Sequence, residues 1–182
     1  MNSETQIGPG HDKAPLRRIV LTGFMGSGKS TVGPLLAERL GWQFIDADEW
    51  IEAKSGRSVA EIFARHGEPF FRALEESTIA QLAGQEALVL ALGGGAIESE
   101  ATRALLTTTP GTLLIHLHVE LVTALARCQG TENARPVLAD RANLASRYER
   151  RLLLYRSARI SIPVDALTPE QAVEAVVRAT KR

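Results

Sequence analysis

Two carboxylates, Asp46 and Asp48, sit one residue apart in FIDADEW (44–50), directly after a short apolar run. Charge is costly to bury and Asp is a poor strand former, so acids at the end of an apolar segment call for chemical work. Upstream, GFMGSGKST (23–31) fits G-x-x-x-x-G-K-[ST], with Gly23, Gly28, Lys29 and Ser30 at the fixed positions. It follows an apolar run and opens a helical pattern, the context that gives this motif its meaning. Such a loop turns consecutive backbone N–H groups onto phosphates, and the helix start adds positive potential. Lys29 can then reach the β- and γ-phosphates of a nucleotide, and the Ser30 hydroxyl can coordinate Mg2+. Residues i and i+2 of a strand share a face, so Asp46 and Asp48 are expected to project together beside this loop. One carboxylate can sit near the metal, directly or through water; the other can orient an acceptor hydroxyl and take its proton. Asp46 is assigned to the metal and Asp48 to the acceptor, an order that spacing alone does not fix. An N-cap for the following helix is the plainer use of an Asp here, and it accounts for one of the pair.

The arginines suggest what the acceptor carries. GEPFFRALEE puts Arg72 on a helix with Glu75 and Glu76 three and four residues on, where they can hold the guanidinium or simply form a surface ion pair. ENARPVL puts Arg135 in a polar stretch, 128–140, long enough to act as a mobile lid. YERRLLLYR adds Arg150 and Arg151 on the next helix. A guanidinium binds carboxylate as a bidentate fork, so two of them suit an acceptor bearing a hydroxyl and a carboxylate. LALGGGAI ends an apolar run in Gly93, Gly94 and Gly95, where a ligand can lie on bare backbone. His116 and His118 share a strand face, but no further ligand cluster is near them in sequence, and they read as packing residues, as do Trp42 and Trp50. Cys128 has no base partner in sequence and reads as inert.

Apolar runs alternate with helical patterns, which predicts a parallel sheet covered on both sides, a three-layer α/β/α sandwich. Strands are expected at 18–23, 43–48, 87–92, 111–119 and, at an edge because of Pro163, 158–164. The P-loop helix should end at Gly41, with a local irregularity at Pro34. Ser58 and Glu61 have capping-box spacing, a second helix should run from about Glu68 to Leu82, and Thr168, Pro169 and Gln171 open the last helix. Ligands on such sheets bind beyond the carboxyl ends of the strands, so all the residues above should fall on one rim.

Length and composition are consistent with this. The chain has 182 residues, 45% of them apolar, which suggests one domain with a sizeable core. The 21 basic and 21 acidic residues balance, which argues against a nucleic-acid coat or a polybasic membrane anchor. One cysteine excludes an internal disulfide framework and fits a reducing, cytoplasmic compartment. No apolar run approaches the ~20 residues of a spanning helix. Residues 1–16 read as a disordered tail and 17–182 as a single domain, with the lid at about 128–140 and acceptor-binding helices at about 47–83.

GFMGSGKSTVG, DADEWIE, GRSVAEIF, GEPFFRALE, LALGGGAI, ARPVL and TPEQAV follow the order and spacing of shikimate kinases, and the chain resembles that family over about 17–178. The resemblance implies a P-loop NTPase fold of the nucleoside-monophosphate-kinase type, with five parallel strands in the order 2-3-1-4-5. It implies transfer of the ATP γ-phosphate to the 3-hydroxyl of shikimate, with Mg2+, in the pathway to chorismate and the aromatic amino acids. On the matching positions Asp48, Arg72, Gly94 and Arg151 would bind shikimate, with Gly95 beside them. Arg72 and Arg151 would take the carboxylate and Asp48 the hydroxyls. Gly26, Ser27, Gly28, Lys29, Ser30 and Thr31 would hold ATP, and Arg135 would close over its phosphates; Lys29, Asp48 and Arg135 would be catalytic. Shikimate and ATP are then the partners, and a monomer is expected. Cys128 stands where members often carry an arginine against adenine, with Arg127 as its neighbour. A kinase for another small acceptor such as gluconate, or a nucleotide sensor without chemistry, are the rival readings. The first has no need of two guanidinia and three glycines, and the second has no need of both Lys29 and Asp48.

Overall fold

The structure, a computed structural model, describes residues 14–129 and 141–181. Most of the tail expected at 1–16 and all but the first two residues of the expected lid, Arg135 included, lie outside the described residues. Among the described residues the chain runs β1 (Arg18–Thr22), α1 (Lys29–Leu40), β2 (Gln43–Asp46), α2 (Ala47–Ser55), α3 (Val59–Leu82), β3 (Leu88–Ala91), a 3-10 turn (Ala96–Glu98), α4 (Glu100–Thr108), β4 (Thr112–His118), α5 (Leu121–Arg127), α6 (Arg141–Tyr155), β5 (Ile160–Pro163) and α7 (Pro169–Thr180). The five strands form one all-parallel sheet in the order β2-β3-β1-β4-β5, as expected.

The strands are placed by burial. β1 and β3 are buried at every position and β4 at five of seven, as parallel strands covered on both faces must be. Ile19 pairs with Val89 on one side and Leu113 on the other, so the apolar runs stack in register through the core. β5, with Pro163 as its last residue, is an edge. Because all strands point one way, their carboxyl ends form one rim: Thr22 lies beside His116, and Asp46 beside Ala91.

Two expectations at this rim need correction. The second strand stops at Asp46 instead of running on through Asp48. Asp46 caps α2 through its side chain, which accepts from the backbone N–H groups of Asp48 and Glu49, so the chain enters a helix at once. The same-face argument for the two aspartates therefore does not apply. The expected irregularity at Pro34 is also missing: α1 runs through it to Gly41, which caps the helix in the left-handed region. Pro34 is exposed and, as the sixth residue of the helix, removes one interior backbone hydrogen bond without ending α1.

The segment 47–82 forms a lobe with its own small core of Ile51, Ile62 and Phe71. The capping box is present: Ser58 N–H donates to Glu61 Oε2 (2.8 Å) and Glu61 N–H to Ser58 Oγ (3.2 Å). α3 breaks at Gly67, whose φ of 81° and ψ of 169° are not helical, so it is two helical pieces, as the sequence suggests. The second piece carries Arg72 and Glu75 back toward the rim. Thr168 and Gln171 form the second capping box, with Pro169 in the first turn of α7.

Candidate active site

The loop between β1 and α1 is built as a phosphate cradle. Gly28 precedes the helix at φ 89°, a conformation that L side chains rarely adopt. Ser27 is buried and its N–H donates to Phe24 O (3.1 Å); Gly26 sits so close to α5 that a Cβ would lie 2.8 Å from Ala124 O and 3.2 Å from Cys128 Sγ. Lys29 Nζ donates to the carbonyls of Gly23 (2.7 Å) and Phe24 (3.3 Å), within the loop it would serve. Ser30 and Thr31 are exposed in the first turn of α1. Arg127 ties this loop to the far edge, donating to Gly26 O (3.2 Å) and to Val164 O (2.9 Å) and Asp165 O (3.1 Å).

The two aspartates part company. Asp46 faces α1: its Oδ2 accepts from the Ser30 hydroxyl (3.1 Å) while its Oδ1 caps α2 (3.0 Å to Asp48 N). Asp48, in the first turn of α2, turns toward the end of β3. A Cβ placed on Gly93 would lie 2.7 Å from Asp48 Oδ1 and 2.7 Å from Glu75 Oε1. These two oxygens are buried and accept no hydrogen bond among the described residues.

The next two glycines meet guanidinia. A Cβ on Gly95 would collide with the Arg72 guanidinium, and one on Gly94 would lie 3.4 Å from Arg151 Nη1. Arg72 is held by Glu75 Oε2 (2.7 Å) and by Glu68 (3.1–3.2 Å), one turn earlier, rather than by Glu76. Arg151, nearly buried on α6, donates from Nε to Glu98 Oε1 (2.6 Å), and its guanidinium lies 5.9 Å from the centre of the Phe24 ring. Arg150 stays exposed and reaches the other oxygen of Glu98 (3.3 Å). Glu68, Glu98 and Phe24 were not expected. Glu68 was legible from helical spacing, whereas Glu98 meets its partner 53 residues away, and nothing local announces that.

Burial sets the electrostatics. It pushes the Asp48 carboxyl up to about 6, with the charge of Asp46 adding and Lys29 and Arg72 opposing. Burial likewise pushes Glu75 up to about 7; Arg72 pulls the other way and Asp48 adds to the rise. Against the upward push of its own partial burial, the guanidinia of Arg151 and Arg150 hold Glu98 below the usual carboxylate range. Among the described residues no cluster of three or more His, Cys, Asp or Glu side chains could hold a metal.

The P-loop, through Lys29, thus lies near a cluster of two carboxylates and two guanidinia set against the bare backbone of Gly93–Gly95. The family model for shikimate kinase matches residues 25–181. The chain belongs to the shikimate kinase family. It is 40% identical to the shikimate kinase of Persephonella marina over 164 residues, which cover 89% of this chain and 98% of that one. It is 43% identical to that of Streptomyces coelicolor over 171 residues, 92% of this chain and 96% of the relative. Among solved structures, a shikimate kinase from Acinetobacter baumannii in complex with shikimate superposes with a TM-score of 0.86 at 33% identity, covering 93% of this chain and 95% of that one. Like other shikimate kinases, the chain is an ATP-dependent kinase.

The raised carboxyls carry a stability consequence. Asp48 and Glu75 bind protons more tightly folded than unfolded, where carboxyls titrate near about 4. Their neutral forms are therefore favoured by folding below about pH 4, and that advantage is lost as pH rises through about 6 and 7. Asp48→Asn should be more stable to urea than the parent by roughly 1–3 kcal/mol at pH 8, with the gap closing toward pH 4. A gap independent of pH would contradict the burial account.

Proposed function

We propose that this kinase transfers the γ-phosphate of ATP to the 3-hydroxyl of shikimate, a step toward chorismate and the aromatic amino acids. The observation that carries the reading is the set of close approaches along Gly93–Gly95. A carboxylate lies against the first glycine and guanidinia lie against the next two, facing a P-loop. An acceptor with a carboxylate at one end and hydroxyls at the other fits that order of groups. The relative solved with shikimate belongs to the same family and supports the same acceptor.

In this reading Arg72 and Arg151 bind the shikimate carboxylate as forks, and the backbone of Gly94 and Gly95 lies along the ring. Asp48 accepts the 3-hydroxyl proton as the oxygen attacks the γ-phosphorus. A carboxyl that titrates near about 6 is a stronger base than an exposed one and is still ionised at neutral pH. Gly26, Ser27, Gly28, Lys29, Ser30 and Thr31 hold the phosphates, and Lys29 follows the charge on the transferring group. Ser30 Oγ and Asp46 Oδ2, 3.1 Å apart, fit Mg2+, which takes oxygen donors and keeps several waters. Because Asp46 also caps α2, contact through water suits it best. Mg2+ bound there would neutralise phosphate charge. Arg135, outside the described residues, would close over the phosphates and exclude water. Among the described residues no helix is long and apolar enough to cross a membrane. A cytoplasmic monomer, with a single domain over 17–182, completes the proposal.

Coupled ADP release with Mg·ATP tests it, run with shikimate, with gluconate and with no acceptor. Release that depends on shikimate alone is expected; release with gluconate, or equal release without acceptor, would overturn the reading. Arg72→Ala should raise the KM for shikimate more than ~10-fold with little change in kcat, because it anchors a group remote from the chemistry. A KM within about twofold of the parent would remove Arg72 from the acceptor site.

A further inference from the structure

Tyr155 lies one helical turn after Arg151 on α6 and is 2% exposed. Its ring stacks nearly parallel on the imidazole of His116, with centroids 4.4 Å apart and planes at 17°. His116 comes from β4, beside Thr22, the last residue of β1 before the P-loop. His116 Nδ1 is 2.9 Å from Ser161 Oγ on the edge strand β5, a contact that fixes the plane of the imidazole. At its other end Tyr155 donates its hydroxyl to the carbonyl of Gly94 (3.4 Å). Burial raises the Tyr155 phenol well above its ordinary range and pushes His116 down to about 4, so the phenol stays a donor and the imidazole stays neutral. A continuous contact chain, Ser161 to His116 to Tyr155 to Gly94, thus runs from the far edge of the sheet to the glycine loop.

The carbonyl of Gly94 and the N–H of Gly95 belong to one planar trans peptide and point in opposite directions. A hydroxyl that holds the carbonyl toward α6 therefore aims the Gly95 N–H away from α6. Gly95 is buried and Gly94 half-buried, and neither N–H donates to an acceptor among the described residues. Buried backbone donors are nearly always satisfied, so the Gly95 N–H points to a ligand. With no side chain on either residue, only neighbours can fix the rotation of this peptide.

We propose that Tyr155, held by His116, is a positioning residue for the acceptor: it sets the Gly94–Gly95 peptide so that its N–H meets shikimate. The proposal rests on the acceptor reading above. Tyr155 touches neither substrate, and it acts through the peptide and through the helix that presents Arg151.

Tyr155→Phe keeps the stack and removes the hydroxyl. The KM for shikimate should rise ~3- to 10-fold, the worth of one hydrogen bond, with kcat within about twofold and the KM for ATP unchanged. A purely structural role would lower the melting temperature and leave the shikimate KM alone, and that result overturns the proposal. Should the phenol be needed for folding, His116→Leu decides. It leaves Tyr155 intact but removes the ring that holds it, and the shikimate KM should rise at least ~2-fold with kcat kept; an unchanged KM overturns the proposal. A parent chain without shikimate-dependent turnover would overturn the acceptor reading and this proposal together. A parent that turns over beside a Tyr155→Phe variant of unchanged KM overturns this proposal alone.

Discussion

The site depends on the absence of side chains at Gly93, Gly94 and Gly95. Three elements distant in sequence close on this short loop: α2 with Asp48, α3 with Arg72 and Glu75, and α6 with Arg151. A methyl group at Gly93 would run into two carboxylates, and one at Gly95 into a guanidinium. At Gly93 and Gly95 the distances leave no room for even the smallest substitution without moving a charged group, whereas a Cβ on Gly94 would only touch Arg151. The loop thus serves as a floor that the side chains of three helices approach.

Packing charges against that floor has a cost, and the lobe bears it. Asp48 and Glu75 are pushed up by burial, and each keeps one oxygen without a hydrogen bond among the described residues. Such atoms are expensive to leave unmatched, and in native proteins they mark places where a ligand completes the set. The same burial gives Asp48 the basicity its proposed role requires. Glu75 divides its duties, with one oxygen on Arg72 and the other facing Gly93. Arg151 has its own anchor in Glu98, so the two guanidinia are held independently and neither must be ordered when an anion arrives. The balanced net charge of the chain conceals this local concentration.

The fold and the cradle were legible because their signals are local. The P-loop carries its own context, a strand before and a helix after, and buried runs joined by helices point to a parallel sheet; the strand order came from the family resemblance alone. The capping residues Ser58, Thr168 and Gly41 mark helix ends through short-range hydrogen bonds and backbone conformation that the sequence displays directly. The end of β2 was misread because Asp46 serves two purposes. As a cap it ends the strand two residues early, and the spacing D-x-D does not reveal which Asp caps. Glu98, Phe24 and Tyr155 were illegible as site residues for another reason. Their partners, Arg151 for the first two and Gly94 and His116 for Tyr155, lie far along the chain, and only the folded sheet brings them together. Pro34 looked disruptive from propensity alone, yet α1 runs through it to Gly41.

The measurement closest to the centre of this account is the steady-state kinetics of Gly95→Ala. A Cβ there meets the Arg72 guanidinium head-on. The account predicts a rise of ~10-fold or more in the KM for shikimate, with the KM for ATP and the melting temperature near those of the parent. A Gly95→Ala enzyme with parental shikimate KM would mean that the bare backbone does not set the acceptor site, and the account would be wrong.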